Sequence, residues 1–395
     1  MSNWSSRERM LAALSSQSPD HAPCAFMLFG ALKSGCKSYL EFVEKQLEMG
    51  LDAFIELPVR PPHVVNDHYN LHGLPVSYHP AVKISEWSEQ SPQEEHPLLI
   101  KEYRTPEGML RSEVRKTPDW RWGDHVPFLD DYLTPRSKKF LITGPEDLNA
   151  FRYLLVPPTR QEIDAFNQES EPMIAFARER GLLVAGGWGI GADLLGWVYG
   201  LLPMIYAEVD QPEFLSEMLD LIAEWNRRRM QVVLDAGIDL YIRRAWYENC
   251  DFWSPRLWKK FIFPGLKAEA DLAHQAGARF GYIITSNCMP LLDGIAEAGV
   301  DAIIGVDPRG FDLLRTKQTL AGKTCLWGGV NGHLTVEQGE PEEVRREVRQ
   351  AIELLAPGGG FILSPVDNVR EPTRRALDNV STLIDAWQKA FKPAQ

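Results

Sequence analysis

The chain has 395 residues, with 42 Lys+Arg against 54 Asp+Glu and a formal charge of −12. That balance argues against binding a nucleic-acid backbone, and the length suffices for a large single-domain α/β barrel. No stretch approaches about 18 uninterrupted apolar residues, so no membrane span is expected, and MSNWSSRERMLAALSSQ lacks a signal peptide's apolar core.

In chain order, Ser6–Leu14 has the spacing of a short amphipathic helix, ended by Pro19 and Pro23, and Cys24–Leu28 reads as a short strand. Tyr39–Met49 predicts a helix stopped by Gly50, and Ala53–Leu57 a second strand closed by Pro58. The region 59–180 breaks this rhythm with prolines, aromatics and charges in weak alternation, and reads as an insertion over one end of the sheet. From Gly181 the rhythm returns. Strands are expected at Leu182–Ala185, Ile238–Ile242, Arg279–Ile284, Asp301–Ile304, Thr324–Trp327 and Gly360–Leu363. Helical stretches separate them: Ala192–Ala207 with Glu213–Leu234, then Pro255–Gln275, Met289–Ala298, Asp312–Leu320 and Pro341–Leu355, with Thr373–Phe391 closing the chain. With the two early strands this makes about eight βα units, the count of a (β/α)8 TIM barrel over a single domain, 1–395. A doubly wound sheet competes less well, because no GxGxxG follows the first strand. The glycine-rich Gly187–Gly191 turn lacks the Lys-Ser/Thr of a phosphate loop. Five scattered cysteines (Cys24, Cys36, Cys250, Cys288, Cys325) form no CxxC pair and read as free thiols of a cytosolic protein.

In such barrels the residues just after each strand carry the chemistry. Thr285, Ser286, Asn287 and Cys288 follow the 279–284 strand, and Asp307 follows the next. After the 238–243 strand, Glu248 lies among aromatics and is either a general acid or metal ligand, or a structural ion-pair partner of Arg243 or Arg244. Asn331 is a polar candidate in the Gly328–His333 stretch, where His333 reads as a cap. Asp367 either touches substrate or caps a helix. Glu248, Asp307 and Asp367 are thus the candidate catalytic carboxylates. Trp188, Trp246, Tyr247, Ser286, Asn287 and Asn331 are the candidate substrate-binding groups, and the tryptophans there, with Trp197 and Trp253, suggest an aromatic pocket.

The runs FWSPRLWKKFIFPGLKAEADLAHQAGARF, GVDAIIGVDP, LAGKTCLWGGVN and GEPEEVRREVRQAIELLAPGGGFILSPVDNV resemble the C-terminal half of the uroporphyrinogen decarboxylase superfamily, and RERMLAAL with Pro19 and Pro23 resembles its N-terminus. The resemblance covers most of the chain outside 59–180 and implies a (β/α)8 barrel. Decarboxylases of that superfamily carry an arginine-rich motif after the first strand, where this chain reads Phe26-Met27-Leu28-Phe29-Gly30, and their late histidine aligns with Asp367. Fixed cations are what a polycarboxylate substrate needs. The other branch holds corrinoid-dependent methyltransferases, whose thiol-activating members bind zinc through His-x-Cys and a later cysteine. Here those positions read Ser286-Asn287-Cys288 and Pro357-Gly358-Gly359-Gly360, so one ligand of three remains, and zinc would need a different set, such as Cys288 with Glu248. The resemblance therefore implies a demethylating relative: a small methyl donor, a methoxylated aromatic among the options, gives its methyl to a corrinoid (cobalamin) held by a separate partner protein. No Asp-x-His-x-x-Gly signature is present, since Asp271…His274…Gly277 has one residue too many between Asp and His. A porphyrinogen decarboxylase and a non-catalytic barrel that binds a tetrapyrrole or other small ligand are the alternatives.

Overall fold

The computed structural model describes residues 4–57 and 74–391. The strands, in chain order, are β1 (Phe54–Leu57), β2 (Lys83–Glu89), β3 (Leu98–Thr105), β4 (Gly108–Arg115), β5 (Ser137–Lys139), β6 (Leu183–Gly189), β7 (Leu240–Arg244), β8 (Arg279–Ile283), β9 (Ala302–Val306), β10 (Cys325–Asn331) and β11 (Phe361–Val366). Seven of them form a parallel sheet in the order β1-β6-β7-β8-β9-β10-β11. The 24–28 segment closes that sheet. It bridges β11 at Cys24–Leu363 and the residues just after β11 at Leu28–Asn368, and Asp52 N–H donates to the Cys24 carbonyl just before β1. Strand order around the ring thus follows chain order, which is the topology of a (β/α)8 barrel. The first strand contributes only isolated bridges because Pro23 has no N–H to give the ladder.

Side chains alternate across each strand, so each contributes one set to the barrel interior and another to the layer beneath the outer helices. The interior holds Leu183 and Ala185, Leu240 and Ile242, Ala302 and Ile304, Cys325 and Trp327. The helix Ser6–Leu14 plugs the end of the barrel opposite the site, with Met10, Ala13 and Leu14 packed into that interior. Ser5 and Glu8 close a capping box at its start.

The insertion is shorter than the sequence suggests. β2 to β5 form an antiparallel sheet of their own. The expected insertion end at 180 is corrected, because Arg160–Arg180 is one continuous helix packed on β1 and β6, a member of the barrel's outer ring. Its charged composition and the internal Pro172 hide it in the sequence, although a Thr159–Glu162 capping box and a left-handed Gly181 mark its two ends. The first part of the expected insertion, with Pro58, lies outside the described residues. Pro255–Gln275 divides into helices Pro255–Phe261 and Phe263–Gln275. Among the described residues, no helix is long and apolar enough to cross a membrane.

Candidate active site

At the carboxyl ends of the strands, Leu28, Trp188 and Trp246 pack on the barrel's interior core. Trp188 and Trp246 meet edge to face at 6.5 Å, and the Arg244 guanidinium stacks on Trp246 at 4.0 Å and on Trp197 at 4.7 Å. Arg244 is held in place by two carboxylates. Its Nε donates to Asp193 at 2.9 Å, and Nη2 to both oxygens of Asp131 at 3.1 Å. Asp131 also accepts from Trp197 Nε1 and the Tyr247 hydroxyl, so the insertion is fastened to the loops after β6 and β7. Burial pushes the Asp193 carboxyl up, and Arg244 opposes that rise.

Trp188 is the strained member of this wall. Its φ is +54°, a left-handed value that costs a bulky residue about 1–3 kcal/mol. The register of β6 against β7 shifts between Gly187 and Gly189, a bulge that carries Trp188 onto the interior face. Gly187 has φ +115°, and a Cβ there would lie 2.6 Å from the Ile242 carbonyl, so this turn requires glycine. The strain delivers an indole whose Nε1 is buried and has no hydrogen-bond partner.

Glu56 faces the same space, and the sequence reading passed over it. Phe54 packs edge-on against Trp327 at 5.6 Å within the barrel, and Glu56, two residues on, shares that face. Its backbone N–H donates to the Tyr39 hydroxyl at 2.8 Å. Its carboxyl makes no hydrogen bond or ion pair among the described residues. Burial raises its pKa, while Lys33 and the Trp188 indole N–H pull it back. That N–H points towards the carboxyl without closing a hydrogen bond of normal geometry. The available signal was a lone acid within Ala53–Leu57, since an ionisable group in an all-parallel strand is expensive unless it works.

The expected site residues divide sharply. Asp307 and Asn331 come together, with Asn331 Nδ2 donating to Asp307 Oδ2 at 2.7 Å while Arg309 N–H donates to Oδ1. Asn331 also caps the turn after β10 by accepting from Leu334 N–H, the role expected of His333, whose ring bonds Glu337 and Gln338 instead. Ser286 accepts from Asn249, and Asn287, at φ +36°, donates to Asp251. Asp367 sits on the rim at φ +69°, half-exposed and paired with Arg370, and caps no helix. Tyr247 turns its hydroxyl towards Asp131.

Of the two readings of Glu248, the geometry matches the ion pair with Arg243. Arg243 and Tyr282 point outward from the barrel, and Glu248 meets them behind its wall, fully buried. Its Oε1 accepts from Arg243 Nη2 at 2.5 Å and from Ala192 N–H at 2.7 Å, and its Oε2 from the Tyr282 hydroxyl at 2.5 Å. Arg243 continues to Glu269 at 2.9 Å, which Asn226 also reaches. Gly191 is obligatory beside this pair, because a Cβ would fall 1.9 Å from Arg243 Nη2. The glycine-rich turn thus seats an ion pair and no phosphate.

The zinc set of Cys288 with Glu248 does not fit either. Glu248 is committed as above, and burial pushes the Cys288 thiol up to about 12, against the thiolate that zinc requires. Among the described residues no three His, Cys, Asp or Glu side chains gather as a metal site.

The profile of the uroporphyrinogen decarboxylase (URO-D) family matches residues 198–390, the later half of the barrel. A uroporphyrinogen decarboxylase from Ralstonia pickettii is 27% identical over 232 residues, which are 54% of this chain and 57% of that protein. The chain thus matches little more than half the length of that relative. Among solved structures, a methyltransferase from Methanosarcina mazei superposes with a TM-score of 0.61 at 16% identity, covering 99% of this chain and 100% of that one. At that identity the likeness is one of fold, and it runs the length of the barrel.

Proposed function

We propose that the protein is a methyltransferase that moves a methyl group from a small donor, such as a methoxylated aromatic, to the cobalt of a corrinoid carried by a separate protein docking at the barrel mouth. The observation that carries this reading is the character of the wall that Trp188 and Trp246 form at the strand ends. It is aromatic, and Arg244, the arginine on its interior face, has its guanidinium shared between Asp131 and Asp193. The 24–28 segment contributes Ala25 and Met27 to the interior. A porphyrinogen's several carboxylates need unshared cations, whereas an apolar methoxy compound needs aromatic surface and a few polar contacts. The R. pickettii relative keeps decarboxylation as the competing reading.

Breaking an O–CH3 bond leaves charge on oxygen, which an acid must relieve. The corrinoid supplies the nucleophilic electron pair, and this chain's task is to hold the donor, exclude water and manage the proton. Asp307, fixed by Asn331, is placed to orient the donor from the rim.

Incubation with reduced cob(I)alamin and a panel of methoxylated aromatics tests the reading. Methylcobalamin is expected in the visible spectrum. Porphyrinogen turnover with no methyl transfer across the panel would overturn it.

A further inference from the structure

We propose that Glu56 is the acid of this site, giving its proton to the leaving oxygen of the methyl donor, with the indole N–H of Trp188 receiving the carboxylate that remains. The assignment rests on the methyl-transfer reading and names the residues that perform its proton step.

Three observations meet here. Glu56 stands on the interior face of β1, directly along the strand from Phe54, whose ring lies on Trp327 inside the barrel. Glu56 is partly buried, and apart from the nearby Trp188 indole no side chain among the described residues gives its carboxyl a hydrogen bond or ion pair. Trp188 holds a strained backbone and a buried N–H with no hydrogen bond of normal geometry, near enough to that carboxyl to lower its pKa. Strain and an unsatisfied donor at one residue mark a place where the fold keeps a group ready for something that arrives.

The other candidate acids lack this combination. Glu248 has both oxygens occupied behind the barrel wall, and Asp367 is a rim residue paired with Arg370. Asp307 accepts a hydrogen bond at each carboxylate oxygen, from Asn331 and from the Arg309 N–H, so both oxygens are already engaged.

The step balances. The O–CH3 bond breaks with its electron pair going to oxygen, and the methyl passes to the acceptor cobalt, whose own electron pair makes the new bond. The oxygen takes the Glu56 proton and leaves as a hydroxyl, and the Glu56 carboxylate closes its hydrogen bond to Trp188 Nε1 until solvent returns a proton. Among the described residues, the charged or titratable groups facing Glu56 are Lys33, on the helix Gly30–Lys33, and Tyr39, whose hydroxyl accepts from the Glu56 N–H. Burial keeps the carboxyl protonated to higher pH than a free glutamate, so the rate should fall as pH rises through its pKa. Removing the Trp188 N–H should shift that fall further upward.

Single-turnover transfer from guaiacol to cob(I)alamin, followed against pH, provides the test, with guaiacol binding measured separately by calorimetry. Glu56→Gln should lose about 100-fold or more in rate while binding guaiacol within about threefold of wild type, the scale expected for a general acid. Glu56→Asp should recover part of the rate, and Trp188→Phe should move the alkaline limb upward. An active wild type alongside an equally active Glu56→Gln, with the alkaline limb unchanged, overturns this assignment alone. A wild type that moves no methyl from any donor overturns the function reading and this assignment with it.

Discussion

Glu56, near the carboxyl end of β1, and Glu248, after β7, are both glutamates, and their surroundings give them opposite parts. Glu248 lies behind the wall, where Arg243, Tyr282 and Ala192 N–H use both of its oxygens. Glu56 lies inside the wall, where its carboxyl has no such partner. A closed polar network specifies position, since every member is held and removing one leaves another buried and unpaired. An open carboxyl in an aromatic pocket keeps its proton and its reach. The type of residue is the same, and the side of the strand decides.

Breaking the closed side should cost most. Arg243→Met leaves Glu248 and Glu269 facing each other without their cation, and should lose about 3–5 kcal/mol in urea unfolding. Should its unfolding midpoint match wild type, the network is no anchor. Glu248→Gln comes next. It keeps the shape but not the charge, and should lose about 1–3 kcal/mol. Below its melting temperature it should still turn over guaiacol within about tenfold of wild type, far from the 100-fold or greater loss expected of a general acid. A folded Glu248→Gln with no turnover would reverse the comparison.

A third test concerns pH. Burial raises the folded-state pKa of Glu56, and it pushes that of Glu208, which carries an unpartnered buried oxygen, up to about 7. For such groups the folded state holds its proton where the unfolded chain has already released it. Stability therefore falls as pH rises from the ordinary value of 4.5 through the folded pKa, and the loss is complete above it. In Glu208→Gln the fall in melting temperature between pH 5 and pH 8 should shrink by roughly 2 °C, the size of a small stability change in a chain this long. An identical fall in the variant and wild type would place Glu208 in water. The smallest effect is expected at the rim. Asp367→Asn should change stability by less than about 0.5 kcal/mol, because asparagine tolerates its left-handed backbone and the pair with Arg370 is exposed. A larger loss, measured by urea unfolding, would bring Asp367 into the site proper.

Much of this was legible in the sequence. The strands from 182 onward fall within a few residues of their expected places, since short apolar runs between glycines and helical spacings are local patterns. Their count fixed the barrel before any contact was known. The meeting of Asp307 and Asn331 follows from adjacent strands in a parallel ring. The helix Arg160–Arg180 was not legible, because its polar surface and Pro172 blur the period by which a helix is read.

Taken alone, the sequence determined the order of elements and which residues follow each strand. Each is a property of neighbours along the chain. Only the tertiary structure decided which face each strand-end residue takes. A single bulge at Trp188 exchanges inside for outside, because side chains in a strand alternate with a period of two. It also decided that Glu248 finds Arg243 and Tyr282 while Glu56 finds only an indole N–H held short of a hydrogen bond. Partners for a buried charge come from distant parts of the chain, and no spacing between residues records them.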